Sequence, residues 1–180
     1  DLLLLHRPDP LVEPEEVARA FDELQSSGKV RHFGVSNHTP MQIELLKKYL
    51  NQPLVINQLE LNVLHNDLVN DGIVSNMTSA TYTGARATLD YCRLNDIMIQ
   101  AWSPVAGGQI FAPADDAPDD VKATARVIAE LAEKHSTTKA AIALAWLLRH
   151  PAGIQPILGT MKVERIAESV AADDVELSRL

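Results

Sequence analysis

His6 closes the run Asp1-Leu2-Leu3-Leu4-Leu5-His6-Arg7-Pro8-Asp9, so an apolar segment delivers a titratable imidazole. Four consecutive leucines read as a strand buried on both faces, the habit of a parallel sheet, and Pro8 then turns the chain. Polar or special residues close each later apolar run as well: Ser36 and Asn37, Gln58 and Glu60, Trp102 with Ser103 and Pro104, then Gly159 and Thr160. Ser, Asn and Gln together can meet both the donor and the acceptor of a carboxamide. An indole such as Trp102 can stack on a flat ring. The segment Gly159-Thr160-Met161-Lys162-Val163-Glu164-Arg165 offers a helix amino terminus, a hydroxyl and two cations, which suits a phosphate. A nicotinamide dinucleotide carries all three of these groups.

Strands and helices alternate to position these residues. After the leucine strand, Pro14, Glu15 and Glu16 open a helix with Val17, Phe21 and Leu24 on one face, and Gly28 ends it. A strand is predicted over 31–35, and Thr39 with Gln42 forms a capping box around Pro40 for a helix through Tyr49. Further strands are predicted over 55–61, 97–101 and 154–158, with helices over 119–135, 139–149 and 163–171. Two stretches read as loops. The 62–87 segment is long enough to be a lid, an insertion or disordered, and 107–118 is a Gly-, Asp- and Pro-rich surface loop.

Such alternation means parallel strands joined by right-handed crossovers. Five units fit an open doubly wound sheet or part of a (β/α)8 barrel. No Gly-rich dinucleotide fingerprint follows the first strand, which weakens the open sheet. A whole barrel takes about 250 residues, against 180 here. The expected fold is therefore α/β, a partial (β/α)8 TIM barrel holding about its last five βα units. It forms one domain over 1–180 that reads as cut at both ends. In such a barrel all strand ends share one face, so distant residues converge.

A net charge of −8 argues against nucleic acid or an anionic membrane as the main partner. No apolar stretch approaches the roughly 20 residues of a membrane span. One cysteine, Cys92, allows no internal disulfide and fits a reducing cytoplasm. The Asn76-Met77-Thr78 glycosylation pattern has no secretory signal beside it. Neither Cys92 nor His32, His38, His65, His135 and His150 has metal-ligand spacing, so no metal site is expected. Taken singly, each candidate also has a structural reading. His6 could be a hydrogen-bonded structural imidazole, and Ser36 and Asn37 turn-formers before the Thr39 cap. Gln58 could satisfy buried backbone, Trp102 could pack in the core as Trp146 is expected to, and Arg165 could be a solvated charge. Their recurrence at successive strand ends favours the site reading.

Leu-Leu-Leu-Leu-His6-Arg-Pro-Asp, Gly34-Val35-Ser36-Asn37, Asn57-Gln58-Leu59-Glu60-Leu61, Ala101-Trp102-Ser103-Pro104 and Pro156-Ile157-Leu158-Gly159-Thr160 with Arg165-Ile166-Ala167-Glu168-Ser169 resemble successive motifs of the aldo-keto reductases. They stand in the family's order and cover most of the chain. The Trp-Ser-Pro variant with its Gly-Gly pair resembles a bacterial branch of uncharacterised oxidoreductases. The resemblance implies NADP(H)-dependent reduction of aldehyde or ketone carbonyls. In that family hydride passes from the nicotinamide while a tyrosine, tuned by a lysine and an aspartate, donates the proton. His6 matches the histidine that orients the carbonyl, and Ser36, Asn37 and Gln58 match the carboxamide ligands. Trp102 matches the residue stacked on the nicotinamide, and Ser103 and Pro104 begin the loop along the pyrophosphate. Gly159 leads into the phosphate segment. Thr160, Met161 and Arg165 match the 2′-phosphate site, and Glu168 and Ser169 the adenine-side pair.

The family's aspartate, tyrosine and lysine precede the histidine, and their motifs are absent here. Tyr49, Tyr82 and Tyr91 lie outside the tyrosine's motif. A second reading follows: a catalytically incomplete cofactor-binding or assembly module, which could self-associate through exposed sheet edges.

Overall fold

The computed structural model describes residues 1–74, 77 and 85–178. Strands β1 (Leu2–Leu5), β2 (His32–Ser36), β3 (Leu54–Glu60), β4 (Met98–Trp102) and β5 (Gln155–Pro156) hydrogen-bond in sequence order. The β1–β2 and β2–β3 pairs are parallel. The chain forms two compact units, Asp1–Leu59 with Asp67–Gln100, and Glu60–Asn66 with Ala101–Leu180.

In the first unit, α1 (Pro14–Ser26) begins on Pro14 with Glu15 and Glu16 in its first turn. Gly28, at φ 72°, turns the chain out of it. Phe21 of α1 stacks on Phe33 of β2 with ring centroids 4.1 Å apart, and both rings are buried. The Thr39–Gln42 capping box opens α2 (Pro40–Lys47), which ends two residues before the predicted Tyr49. Gly34 faces Leu4 across the β1–β2 ladder. A Cβ there would lie 2.6 Å from the Leu4 side chain and 2.7 Å from the Ile56 carbonyl oxygen, so only glycine lets the strands approach this closely. The β2–β3 register shifts between Phe33 and Val35, and this irregularity sets Ser36 opposite Gln58.

The leucine strand departs from expectation. Leu2 is 38% exposed and Leu3–Leu5 are half-buried, because β1 lies at one end of the strand order. The predicted 62–87 loop contains α3 (Asp67–Ile73), none of whose residues is buried, so it shows no core-facing apolar stripe. A further helix, α4 (Thr88–Leu94), begins after Ala87, which has φ 57° and offers no side-chain cap. Its buried face is only Thr88, Leu89 and Cys92, too short for a periodic signal. Most of 75–84, including Asn76, Thr78 and Tyr82, lies outside the described residues.

In the second unit, α5 (Asp119–Lys134) buries Val121, Ala125, Ile128 and Ala132. It packs on α6 (Lys139–Leu148), which is buried along most of its length and capped by Thr138. The predicted 107–118 surface loop is anchored rather than free. Ile110 is fully buried, and the Lys139 ammonium donates to the Phe111 carbonyl at 3.0 Å. Trp146, expected in the core, is half-buried and lines an apolar groove with Val127, Leu131, Ile142 and Leu177. β5 is shorter than the predicted 154–158 and contains Pro156, which has no N–H to donate. Beyond it, Ile157 N–H donates to the Ala101 carbonyl at 2.8 Å. The last helix, α7 (Val163–Val170), buries no residue.

Candidate functional site

In the first unit the strand-end candidates come together. β1 leads straight into His6, which is exposed. At the end of β2, Ser36 is buried and Asn37 adopts a left-handed backbone at φ 61°. That bend carries the Asn37 amide back over both neighbours. Asn37 Nδ2 donates to the His6 carbonyl at 3.3 Å and to Ser36 Oγ at 2.8 Å. Ser36 Oγ donates in turn to the Gln58 carbonyl at 2.7 Å, and Asn37 N–H reaches the same oxygen at 3.0 Å. The Gln58 amide donates to Gln100 Oε1 at 2.9 Å. One buried hydroxyl and two side-chain amides thus cluster at the strand ends, tied to the backbone of the exposed His6. That donor and acceptor set fits a carboxamide.

Two residues that sequence reasoning did not select support this cluster. His38 is buried, and its Nδ1 lies 2.8 Å from the Ser36 carbonyl. A carbonyl only accepts, so Nδ1 carries the proton. Asn57, fully buried, donates from Nδ2 to the His38 carbonyl at 2.9 Å and accepts the His38 N–H at 3.5 Å. Asn57 stood inside the quoted Asn57-Gln58 motif, but strand alternation points it away from the Gln58 face. Cys92 lies 4.0 Å from Asn57 Nδ2, and burial pushes its thiol up to about 11. Fully buried, it packs in the core of this unit.

Burial lowers the His38 pKa below its ordinary 6.5, against a smaller opposing effect of the Ser36 hydrogen bond. The fold therefore favours neutral imidazole. Its stabilisation is present above about pH 6.5 and is lost as pH falls through the lowered folded value. Between about pH 7.5 and pH 5, the urea midpoint should drop further for the wild type than for His38→Gln. Equal drops would show that His38 does not titrate with folding.

The second unit holds the remaining candidates. Trp102, at the end of β4, is half-buried and Pro104 is buried. Ser103, Ala106, Gly107 and Gly108 have φ of 54°, 51°, 62° and 88°. These left-handed positions fold the segment into tight turns, in which the Ala106 N–H donates to the Ser103 carbonyl at 3.0 Å and the Gly108 N–H to the Val105 carbonyl at 2.9 Å. After β5, Thr160 Oγ1 accepts the Lys162 N–H at 3.2 Å, shaping the entry to α7. Gly159, Met161, Lys162, Arg165 and Glu168 are exposed there, Met161 at 94%. The Ser169 hydroxyl is half-buried and donates to the Arg165 carbonyl at 2.7 Å, so it also serves the helix backbone.

Neither described tyrosine sits at a strand end. Tyr91, on α4, donates to the Glu44 carboxylate of α2. Burial, followed by that bond, holds its phenol above the ordinary tyrosine range. Tyr49 lies beside the Lys48 ammonium, 5.3 Å from the ring centroid. Among the described residues no group of His, Cys, Asp and Glu is placed to hold a metal ion, and no helix is long and apolar enough to cross a membrane.

Comparison with known proteins converges on one family. The model of the aldo/keto reductase family matches residues 1–179. The chain is 39% identical over 179 residues to the uncharacterized oxidoreductase YcsN of Bacillus subtilis, covering 99% of this chain and 54% of that protein. It is 37% identical to a 6-dehydroglucose reductase of Agrobacterium fabrum, covering 99% and 53%. The crystal structure of the thermostable aldo-keto reductase Tm1743 with the inhibitor epalrestat superposes with a TM-score of 0.77 at 28% identity, covering 99% of this chain and 56% of that one. The chain thus spans about half the length of the relatives it matches. Its α/β alternation agrees with a partial (β/α)8 barrel. Fold and sequence similarity agree: the chain belongs to the aldo/keto reductase family.

Proposed function

We propose that the complete gene product reduces small aldehyde or ketone substrates with NADPH. The observation that carries this reading is the cluster of Ser36, Asn37 and Gln58 at strand ends, joined through Asn37 to the backbone of the exposed His6. When bound, NADPH supplies the hydride. Ser36, Asn37 and Gln58 hold its carboxamide, and Trp102 stacks on the ring. Ser103 and Pro104 lead the backbone along the pyrophosphate. Thr160, Met161 and Arg165 hold the 2′-phosphate, with Glu168 and Ser169 on the adenine side. His6 donates a hydrogen bond to the substrate carbonyl oxygen and stabilises the negative charge that develops there. Reductases among the relatives support a carbonyl substrate.

The tyrosines favour a second reading for this chain taken by itself. Tyr49 and Tyr91 lie away from the strand ends, so the described residues bind and orient without donating the proton. Titration with NADPH, followed by NADPH loss with an aromatic aldehyde, separates the two. The first reading requires aldehyde-dependent turnover above background in the complete gene product. Binding without turnover leaves a cofactor-binding module, and no binding overturns both.

A further inference from the structure

Asn62 follows β3 by two residues and is 2% exposed. Every polar group of its side chain is engaged. Oδ1 accepts the N–H groups of Leu64 at 2.9 Å and His65 at 2.8 Å. The Asn62 N–H donates to the His65 carbonyl at 3.0 Å, which closes a tight turn. Nδ2 points the other way and donates to the Ser103 carbonyl at 3.0 Å. Beside it, the Leu61 N–H donates to the Trp102 carbonyl at 3.4 Å. Residues 61 and 62 therefore hold the carbonyls of two consecutive residues, Trp102 and Ser103.

Ser103 needs such a hold. Its φ of 54° is left-handed, a conformation that strains a residue with a Cβ and persists where the surroundings over-determine it. The carboxamide accepts two backbone N–H bonds through its oxygen and donates to the Ser103 carbonyl through its nitrogen. A carboxylate would keep the turn and lose the hold on Ser103. We propose that Asn62 is a positioning residue for the cofactor: by fixing the Ser103 carbonyl, it sets the backbone from which Trp102 presents its indole. The inference rests on the stacking role given to Trp102 above, and extends it to a residue outside the strand-end set.

The test compares wild type, Asn62→Asp and Asn62→Ser in the complete gene product. 5-Fluorotryptophan is incorporated, and the Trp102 fluorine resonance is assigned by its loss in Trp102→Phe. Both variants retain an acceptor for the 62–65 turn, so either one suffices if the other folds poorly. We expect a displaced or broadened Trp102 resonance in the cofactor-free protein. We also expect an NADPH dissociation constant raised about tenfold, the loss of one buried hydrogen bond. A folded variant with a wild-type resonance and wild-type NADPH affinity overturns the proposal. Should the wild type itself not bind NADPH, the functional reading fails, and the cofactor-free resonance still decides whether Asn62 positions Trp102.

Discussion

His6→Ala lowers aldehyde-dependent kcat of the complete gene product about a hundredfold, while the NADPH dissociation constant stays within roughly threefold. The split follows from what the substitution leaves intact. Asn37 reaches the backbone carbonyl of His6, not its imidazole, so its hydrogen bond survives the loss of the ring. The Ser36–Gln58 contact does not involve residue 6 at all. What disappears is the donor proposed for the substrate oxygen, and losing such a donor costs about 10²–10³ in turnover. Steady-state kinetics with an NADPH titration decide it. Equal losses in kcat and NADPH affinity would mean that His6 shapes the strand end and does not touch substrate.

Arg165→Ala weakens NADPH binding by roughly a hundredfold and leaves NADH binding unchanged. The guanidinium is exposed on the first turns of α7, where a phosphate would also meet the helix amino terminus. A charge-assisted pair with a phosphate is worth about 1.5–3 kcal/mol, which sets the size of the effect. The Ser169 hydroxyl grips the Arg165 carbonyl, which the substitution keeps, so α7 retains its local hydrogen bond. Added salt should narrow the gap between wild type and variant, since screening weakens exposed charge pairs first. Equal loss of NADPH and NADH affinity would instead point to a disturbed helix, and the 2′-phosphate assignment would fall.

The supporting residues explain why a site can be read in part and not in whole. His6, Ser36, Asn37 and Gln58 stand out in sequence because polar residues closing apolar runs break a pattern. Asn57 and Asn62 break no pattern, since a buried asparagine looks like any turn or strand residue until its partners are known. Their partners, His38 and Ser103, are distant in sequence, so only packing reveals the hydrogen bonds.

The same division runs through the fold. Periodic apolar spacing, Pro14, the Thr39–Gln42 box and Gly28 determined where α1, α2, α5 and α6 form, because these signals act over a few residues. The motif order likewise determined the family. Tertiary structure alone decided that α3 occupies part of the predicted 62–87 loop, that α4 follows it, and that β5 is only two residues long. It also decided the left-handed turns at Asn37 and Ser103. Local signals report what a segment prefers. Burial, register and strained backbone depend on neighbours supplied by other strands, and no window of sequence contains them.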